Sequence, residues 1–252
     1  MKIIKLLIVL ILIPLLFASC EIRFDGDKIR VKGITLEHSR VITLTDSKTY
    51  DTFTVEAHSG NISLKGDSSY QLEVKVWERY ENDVMLSLEN GKLVGETASG
   101  KPFAIASIEG IIPSKSSIDI ETGAGNILID NIEGKAFEVE SGAGNLNFSN
   151  CTYPFMEFST GAGNIMVTNA ETDAIEMNTG AGNILIKSLI TERLDCNTGV
   201  GNIDVYNSTA KVAECNSGIG NISVSESQFE KHDLNTGIGK INYRNNGSSV
   251  EL

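Results

Sequence analysis

The chain has 252 residues, with 33 acidic against 21 basic side chains and a formal net charge of −12. A surface of this sign repels nucleic acid and anionic lipid headgroups, so nucleic-acid binding is excluded as the function. The four cysteines form no CxxC pair and the three histidines, His38, His58 and His232, lie far apart, so no zinc site is predicted.

Residues 1–19 have the pattern of a lipoprotein signal peptide. Two lysines precede an apolar run at 6–17, which is short for a membrane span of about 20 residues. The run LFASC at 16–20 resembles a bacterial lipobox, although Phe17 stands where Leu is usual. We expect acylation of Cys20, for example by palmitate, and anchoring at the cell envelope, on the cell surface or the periplasmic side. The alternative is an uncleaved N-terminal anchor.

The segment between the anchor and the main array predicts short strands and hairpins. Residues 20–50 comprise the lipidated N-terminus and N-terminal strands, and residues 51–113 an irregular first coil with a β-hairpin cap insertion. Within the latter, Asn61 belongs to a glycine-asparagine motif that recurs further along the chain. Leu72, Val74 and Val76 alternate as in a strand, and Asn90-Gly91 predicts a tight hairpin turn.

An internal repeat dominates the rest of the sequence. The motif Gly-x-Gly-Asn recurs with its asparagine at 126, 145, 164, 183, 202 and 221, always 19 residues apart, and Lys240 takes the next place. A fixed period without insertions indicates units that contact only their neighbours. Residues 114–246 are therefore predicted to form a seven-coil β-solenoid, with residues 247–252 as a frayed tail.

Each repeat contains two short strands joined by a glycine corner, followed by a less regular return. Stacked at about 4.8 Å, the coils would form parallel sheets around one continuous core. The inward columns are Ile120, Val139, Phe158, Met177, Cys196, Cys215, Leu234; Ile127, Leu146, Ile165, Ile184, Ile203, Ile222, Ile241; and Ile129, Phe148, Val167, Ile186, Val205, Val224, Tyr243. The predicted fold class is all-β, a single-stranded β-solenoid (β-helix) with 19-residue coils, capped by N-terminal β-hairpins.

The TGAGN repeats after a lipobox look like the bacterial putative-adhesin family of β-strand-repeat lipoproteins, relatives of the auto-transporter adhesin head domain called GIN. The resemblance covers roughly residues 34–243. It implies the solenoid fold and a cell-envelope setting, and it brings no catalytic residues. The glycine corners lack the aspartate of calcium-binding RTX repeats, so a calcium roll of that type is not expected.

One outward column is acidic in all seven coils, and we call it the acidic ladder: Asp119, Glu138, Glu157, Glu176, Asp195, Glu214 and Asp233. Neighbouring carboxylates about 5 Å apart repel each other. The ladder could bind weakly held divalent cations such as calcium, or a basic partner. The alternative is a solvated face that keeps the sheet from pairing laterally.

Three further features have two interpretations each. Trp77, with Lys75 and Arg79, could form a ligand platform for a sugar or protein, or Trp77 could pack the cap onto the first coil. The column of Thr and Ser residues before the glycines resembles the threonine rows of ice-binding solenoids, although hydrogen bonds from these hydroxyls to the corner are the favoured interpretation. Cys196 and Cys215 should stack within disulfide reach, either bridged or as buried thiols.

The sequence contains no GxSxG, HExxH or P-loop motif in a usable context, and no confident metal site. We predict a non-catalytic cell-envelope lipoprotein, an adhesin-like β-solenoid binding module. Alternatives are a structural or regulatory envelope component that contacts another protein, and a polysaccharide-active β-helix enzyme. The expected partners are the membrane, through the lipid anchor, and another protein or a glycan.

Overall fold

A computed structural model describes residues 22–25, 28–245 and 248–251. The predicted signal peptide and Cys20 lie outside these residues. The described chain is built from β-strands, and it has no helix long and apolar enough to cross a membrane.

The strands of the N-terminal part are β1 (Ile22–Asp25), β2 (Lys28–Val31), β3 (Ile34–Leu36), β4 (His38–Asp46), β5 (Thr52–Ala57), β6 (Asn61–Asp67), β7 (Tyr70–Glu78), β8 (Val84–Glu89), β9 (Lys92–Thr97) and β10 (Ala104–Pro113). The array contains β11 (Ser117–Ala124), β12 (Ile127–Glu133), β13 (Ala136–Ala143), β14 (Leu146–Ala162), β15 (Ile165–Ala181), β16 (Ile184–Val200), β17 (Ile203–Tyr206), β18 (Thr209–Ile219), β19 (Ile222–Ser225), β20 (Gln228–Ile238), β21 (Ile241–Asn245) and β22 (Ser248–Glu251).

Seven coils stack in parallel with the predicted 19-residue register. In the middle of the array, β14 pairs with β15 from Leu146 opposite Ile165 to Ala162 opposite Ala181. The predicted inward columns form the core, in which Phe148 and Phe158 stack with ring centroids 4.0 Å apart. The solenoid prediction is therefore confirmed. The N–H and C=O groups of each coil pair with the next, so one unbroken hydrogen-bond ladder runs along the molecule.

A second corner divides each coil after the second strand. The residue there has a positive φ of about 50–60° in six successive coils: Asn131, Asn150, Asn169, Ser188, Asn207 and Glu226. Asparagine tolerates this left-handed conformation better than most residues. Beyond this corner, a further buried column contains Ile132, Cys151, Ala170 and Leu189. The less regular segment that closes each coil is thus a third strand with its own inward side chains.

The first coil of the chain, formed by β5 and β6, lies below the array and carries a β-hairpin insertion. β5 pairs in parallel with β11, and β6 pairs in parallel with β12, so Asn61 stacks below Asn126. The insertion then extends the sheet past β6 through β10, β7 and β4. In the β8–β9 hairpin, Asn90 and Gly91 both have positive φ, which is the geometry of a type I′ turn. Inside the cap, the buried Glu78 pairs with Arg40 at 2.9 Å.

The N-terminal strands β1, β2 and β3 form a separate antiparallel sheet. Its apolar side chains Ile29, Val31 and Leu36 form a second small core with Ala104. Trp77 packs against this cluster. The sheet therefore lies at the capped end of the solenoid.

The C-terminal residues do not follow the prediction of a frayed tail. β22 turns back and pairs antiparallel with β21, from Asn242 opposite Glu251 to Asn245 opposite Ser248. The physical reason is that β21 is the last strand of the parallel stack on its side of the solenoid. Without β22, the backbone N–H and C=O groups on its outer edge would have no hydrogen-bond partner.

The glycine corners bring successive coils into backbone contact. Gly144 has a φ of 147°, and a Cβ atom added there would lie 2.0 Å from the carbonyl oxygen of Gly125 in the coil below. Gly100, in the cap, has a φ of 66° with open space around it. We expect Gly144→Ala to lower the free energy of unfolding by roughly 3–5 kcal/mol, through strain and overpacking, and Gly100→Ala by only about 1–2 kcal/mol.

Urea denaturation of both variants checks this expectation. Equal losses of stability would contradict the close approach of the corners.

Candidate binding surfaces of the solenoid

The acidic ladder forms as predicted on the outer face of the first strand of each coil. Each of its carboxylate residues is the direct cross-strand partner of the next: Asp119, Glu138, Glu157, Glu176, Asp195, Glu214 and Asp233. The carboxylates therefore recur at the strand spacing of about 4.8 Å.

In the C-terminal half, an amide ladder two residues further on offsets this repulsion. Asn178, Asn197 and Asn235 each donate a 2.8 Å hydrogen bond from Nδ2 to the acidic residue of their own coil. The amides also bond one another from coil to coil at 2.9–3.2 Å. The Arg193 guanidinium adds contacts to Glu214 at 2.8 Å and to Asp195 at 3.6 Å. These carboxylates have donors within the chain.

The N-terminal half has glutamates where the later coils have asparagines. Glu121 and Glu140 stand beside the acidic ladder, and both are exposed by surface area. Desolvation by the neighbouring side chains, followed by the charges of Glu121 and Glu138, raises the pKa of Glu140. Desolvation and the charges of its neighbours likewise raise the pKa of Glu157. Negative charge is thus concentrated at this end of the ladder.

No group of three or more His, Cys, Asp or Glu residues suited to hold a metal ion occurs in the described part of the chain. Weak calcium binding to the acidic ladder stays a prediction. A calorimetric titration at millimolar calcium checks it, and an absent heat together with an unchanged melting temperature would remove the idea.

A long open groove of about 1150 Å³ follows the solenoid axis on another side, beside the third strand of each coil. Its floor is a column of six stacked positions: Gly134, Tyr153, Thr172, Thr191, Ala210 and Phe229. One rim carries Glu133, Thr152, Glu171, Ile190, Thr209 and Gln228, and the other carries Pro154, Asp173, Glu192, Lys211 and Glu230. The groove spans six coils, or about 24 Å at the strand spacing.

The charged side chains of the groove are partly paired. Lys115 lies 3.4 Å from Glu133, and Lys211 pairs with Glu192 in the preceding coil. Glu192, followed by the more distant charges of Glu230 and Asp173, raises the pKa of Lys211. The rims therefore keep an excess of negative charge. Among the floor hydroxyls, Thr172 and Thr191 donate to backbone carbonyls and so are not free nucleophiles.

The column of Thr and Ser residues before the glycines has a structural role, which is the interpretation favoured from the sequence. In the later coils each hydroxyl is largely buried and donates to the carbonyl of the glycine corner in the preceding coil, for example Thr179 to Gly163 at 2.9 Å and Thr198 to Gly182 at 2.8 Å. The corner asparagines are structural too. The Oδ1 of Asn126 accepts the backbone N–H of Asn145 at 3.0 Å, and the same contact recurs up the stack.

Of the proposed ligand platform, Lys75 and Trp77 lie on one face of β7, and Arg79 directly follows the last residue of that strand. Trp77 is partly covered by the N-terminal sheet rather than by the first coil, Lys75 is exposed, and the Arg79 guanidinium lies 5.5 Å from the centre of the Tyr80 ring. Packing accounts for Trp77, and a ligand on this face stays a prediction.

Cys196 and Cys215 are cross-strand partners, buried and unbonded. Burial raises the pKa of Cys196 well above its usual range, and that of the third buried thiol, Cys151, to about 12. The thiolate form is therefore disfavoured, and these cysteines serve as small core residues.

Sequence reasoning missed the groove and the second corner. The corner left a signal, because Asn131, Asn150 and Asn169 recur at the 19-residue period. The groove left none, since its floor changes chemistry from coil to coil.

The stacked coils with their solvent-facing ladders define a repeat β-solenoid that offers long, regular binding surfaces. The chain belongs to the Toastrack DUF4097 family, whose model matches residues 31–169, 67–213 and 155–252.

A putative adhesin from Bacteroides fragilis shares the fold: it aligns with a TM-score of 0.56 and 16% identity, over 82% of this chain and 97% of that chain. The similarity to a putative adhesin from Parabacteroides distasonis is lower, with a TM-score of 0.49 and 14% identity over 82% and 96% of the two chains. No curated protein matches this chain. The relationship to the GIN domain stays a prediction.

The raised pKa of Glu140 gives a testable pH dependence. A carboxyl whose pKa is raised by folding disfavours the folded state when it is charged, and this effect disappears as the pH falls through the raised pKa. After allowance for solvent screening, we expect Glu140→Gln to raise the free energy of unfolding at pH 7 by roughly 0.5 kcal/mol, with no gain near pH 3.

Chemical denaturation at both pH values measures the difference. Glu96→Gln, at an exposed position opposite Met85 in the cap hairpin, is the matched control. A gain that persists unchanged at pH 3 would rule out charge repulsion as the cause.

Proposed function

We propose that this chain is a non-catalytic lipoprotein of the cell envelope whose solenoid acts as an adhesin-like binding module. The observation that carries the proposal is the uninterrupted stacking of equivalent outer positions along the solenoid. The acidic ladder runs through all seven coils and the groove through six, without a local break that assembles a distinct set of reactive groups. A catalytic centre requires such a local departure, whereas an extended binding surface benefits from regularity.

Membership in the Toastrack DUF4097 family and the shared fold with the Bacteroides fragilis putative adhesin support the binding role. The lipobox-like residues 16–20 support the anchor, in which the lipid at Cys20 makes the membrane contact. Because the groove rims and the acidic ladder carry excess negative charge, the surfaces suit a partner with basic groups, either a protein or a cationic glycan.

Surface display can be tested by protease treatment of intact cells. We expect proteinase K to remove the protein from intact cells while a cytoplasmic marker survives. Purified protein and lysed cells are digested in parallel, because a tightly paired solenoid could resist the protease itself. Protection in intact cells, with cleavage after lysis, would contradict surface display. It would favour an inward-facing envelope component, whose protein partner cross-linking would identify.

Anchoring is tested separately with Cys20→Ala and metabolic labelling with palmitate. Wild-type protein is expected to carry the label and to begin at Cys20, whereas the variant is expected to carry none, because the acyl chains have no other attachment point in the proposal. An unlabelled wild-type protein that keeps residues 1–19 would instead indicate the uncleaved N-terminal anchor.

A further inference from the structure

The two ends of the solenoid differ in how their backbone edges are covered. At the N-terminal end, the insertion β7–β10 and strand β4 continue the sheet past the first coil. At the C-terminal end, β22 pairs with β21 only. β20, which spans Gln228–Ile238, pairs with β18, and none of the other described strands is its cross-strand partner. An eleven-residue backbone edge therefore faces solvent.

The core is also less well covered at this end. Leu234 and Phe229 are each 9% exposed, whereas their cross-strand partners in the preceding coil, Cys215 and Ala210, are at 0% and 1%. His232 is the cross-strand partner of the buried Ala213 yet is exposed, and its ring stacks on Tyr243 with centroids 4.7 Å apart. A further β-strand laid along β20 would cover these side chains and satisfy the backbone edge.

The residues of β20 fit a second copy of the same strand. In an antiparallel pair centred on Leu234, this leucine faces itself across the two-fold axis. Asp233 then faces Asn235 of the other copy, and His232 faces Thr236. Asn235 already donates to Asp233 within the chain at 2.8 Å, so the same donor and acceptor meet across the pair. Centring on Asp233 would oppose two carboxylates, and centring on His232 would place Leu234 opposite Glu230.

We propose that this protein self-associates end to end, through antiparallel pairing of β20 with β20 of a second copy. A two-fold contact of this kind uses each edge once, so it closes at a dimer. Head-to-tail stacking into fibres finds no matching partner, because the other end is covered by the cap.

The geometry gives the pairing a consequence that rests on the proposed envelope role. The N-terminal sheet, whose first described strand starts at Ile22, packs on Trp77 at the capped end, away from the β20 edge. If Cys20 carries the lipid as proposed, the membrane therefore adjoins the capped end. Seven coils at the strand spacing measure about 30 Å, so an end-to-end dimer separates its anchors by roughly 60 Å or more. Two molecules in one flat membrane cannot pair in this way while standing upright. The dimer instead joins molecules on facing membranes, which is homotypic adhesion.

The test uses the full lipidated chain, in detergent for sedimentation and in neutral phosphatidylcholine vesicles for association. Wild-type protein is expected to sediment as a monomer–dimer equilibrium and to bring two differently labelled vesicle populations together. Asn235→Asp places two pairs of carboxylates across the contact, and we expect dimer affinity to fall by about tenfold.

Two further variants make the test specific. Asn216→Asp puts the same charge one coil further in, at a position paired on both sides, and is expected to leave association unchanged. The double variant Asp233→Asn with Asn235→Asp exchanges donor and acceptor, so the proposed register predicts recovery. Circular dichroism and thermal melts confirm that each variant is folded.

Several outcomes would overturn the pairing: a wild-type protein that stays monomeric at 100 µM, open-ended fibres instead of dimers, equal loss in Asn216→Asp, or no recovery in the double variant. Failure of the proposed function would look different. Dimers in detergent from a protein that is protected in intact cells would leave the contact in place and remove adhesion as its purpose.

Discussion

The structure depends on the constant length of its coil. From the second coil of the array onward, each paired residue lies above the residue 19 places earlier, and the parallel backbone ladder holds it there. The constraint is tightest at the glycine corners, where an added Cβ would come within about 2 Å of a carbonyl oxygen in the coil below. A longer or bulkier corner would separate the coils at this point and break the ladder on both sides. All the other regularities, including the core columns, the asparagine stacks and the acidic ladder, follow from this register.

The same register forces identical side chains together, which helps in some columns and costs stability in others. Asparagines gain from stacking, because each amide is both donor and acceptor for its neighbours. Carboxylates only accept, so a column of them needs donors from elsewhere. The later coils supply these donors from Asn178, Asn197 and Asn235, whereas the coils with Glu121 and Glu140 do not. The two halves of one face therefore differ in electrostatics although they share a backbone.

Much of this architecture could be predicted from the sequence, because the place of a residue in a solenoid follows from its position within the sequence repeat. The 19-residue spacing of the corner asparagines predicted seven coils, three core columns and the stacking of the acidic ladder. Local turn chemistry also predicted the hairpin at Asn90-Gly91. The separate sheet that covers Trp77 could not be predicted, since it depends on contacts between segments far apart in sequence and outside the repeat. The groove could not be predicted, because its floor positions, such as Gly134, Tyr153 and Thr172, differ in size and chemistry from coil to coil. The strand at 248–251 follows from an open edge that is visible only once the stack is built.

The repeat of the backbone has a consequence for how such a protein can change during evolution. A deletion or duplication of 19 residues between equivalent positions, for example Asn164 to Asn183, rejoins the chain in register and leaves every face continuous. A change of any other size would rotate all following side chains out of place. The molecule can thus lengthen or shorten in steps of about 4.8 Å without redesign of its core. Coil number acts as a molecular ruler that sets how far the C-terminal tip stands from the capped end.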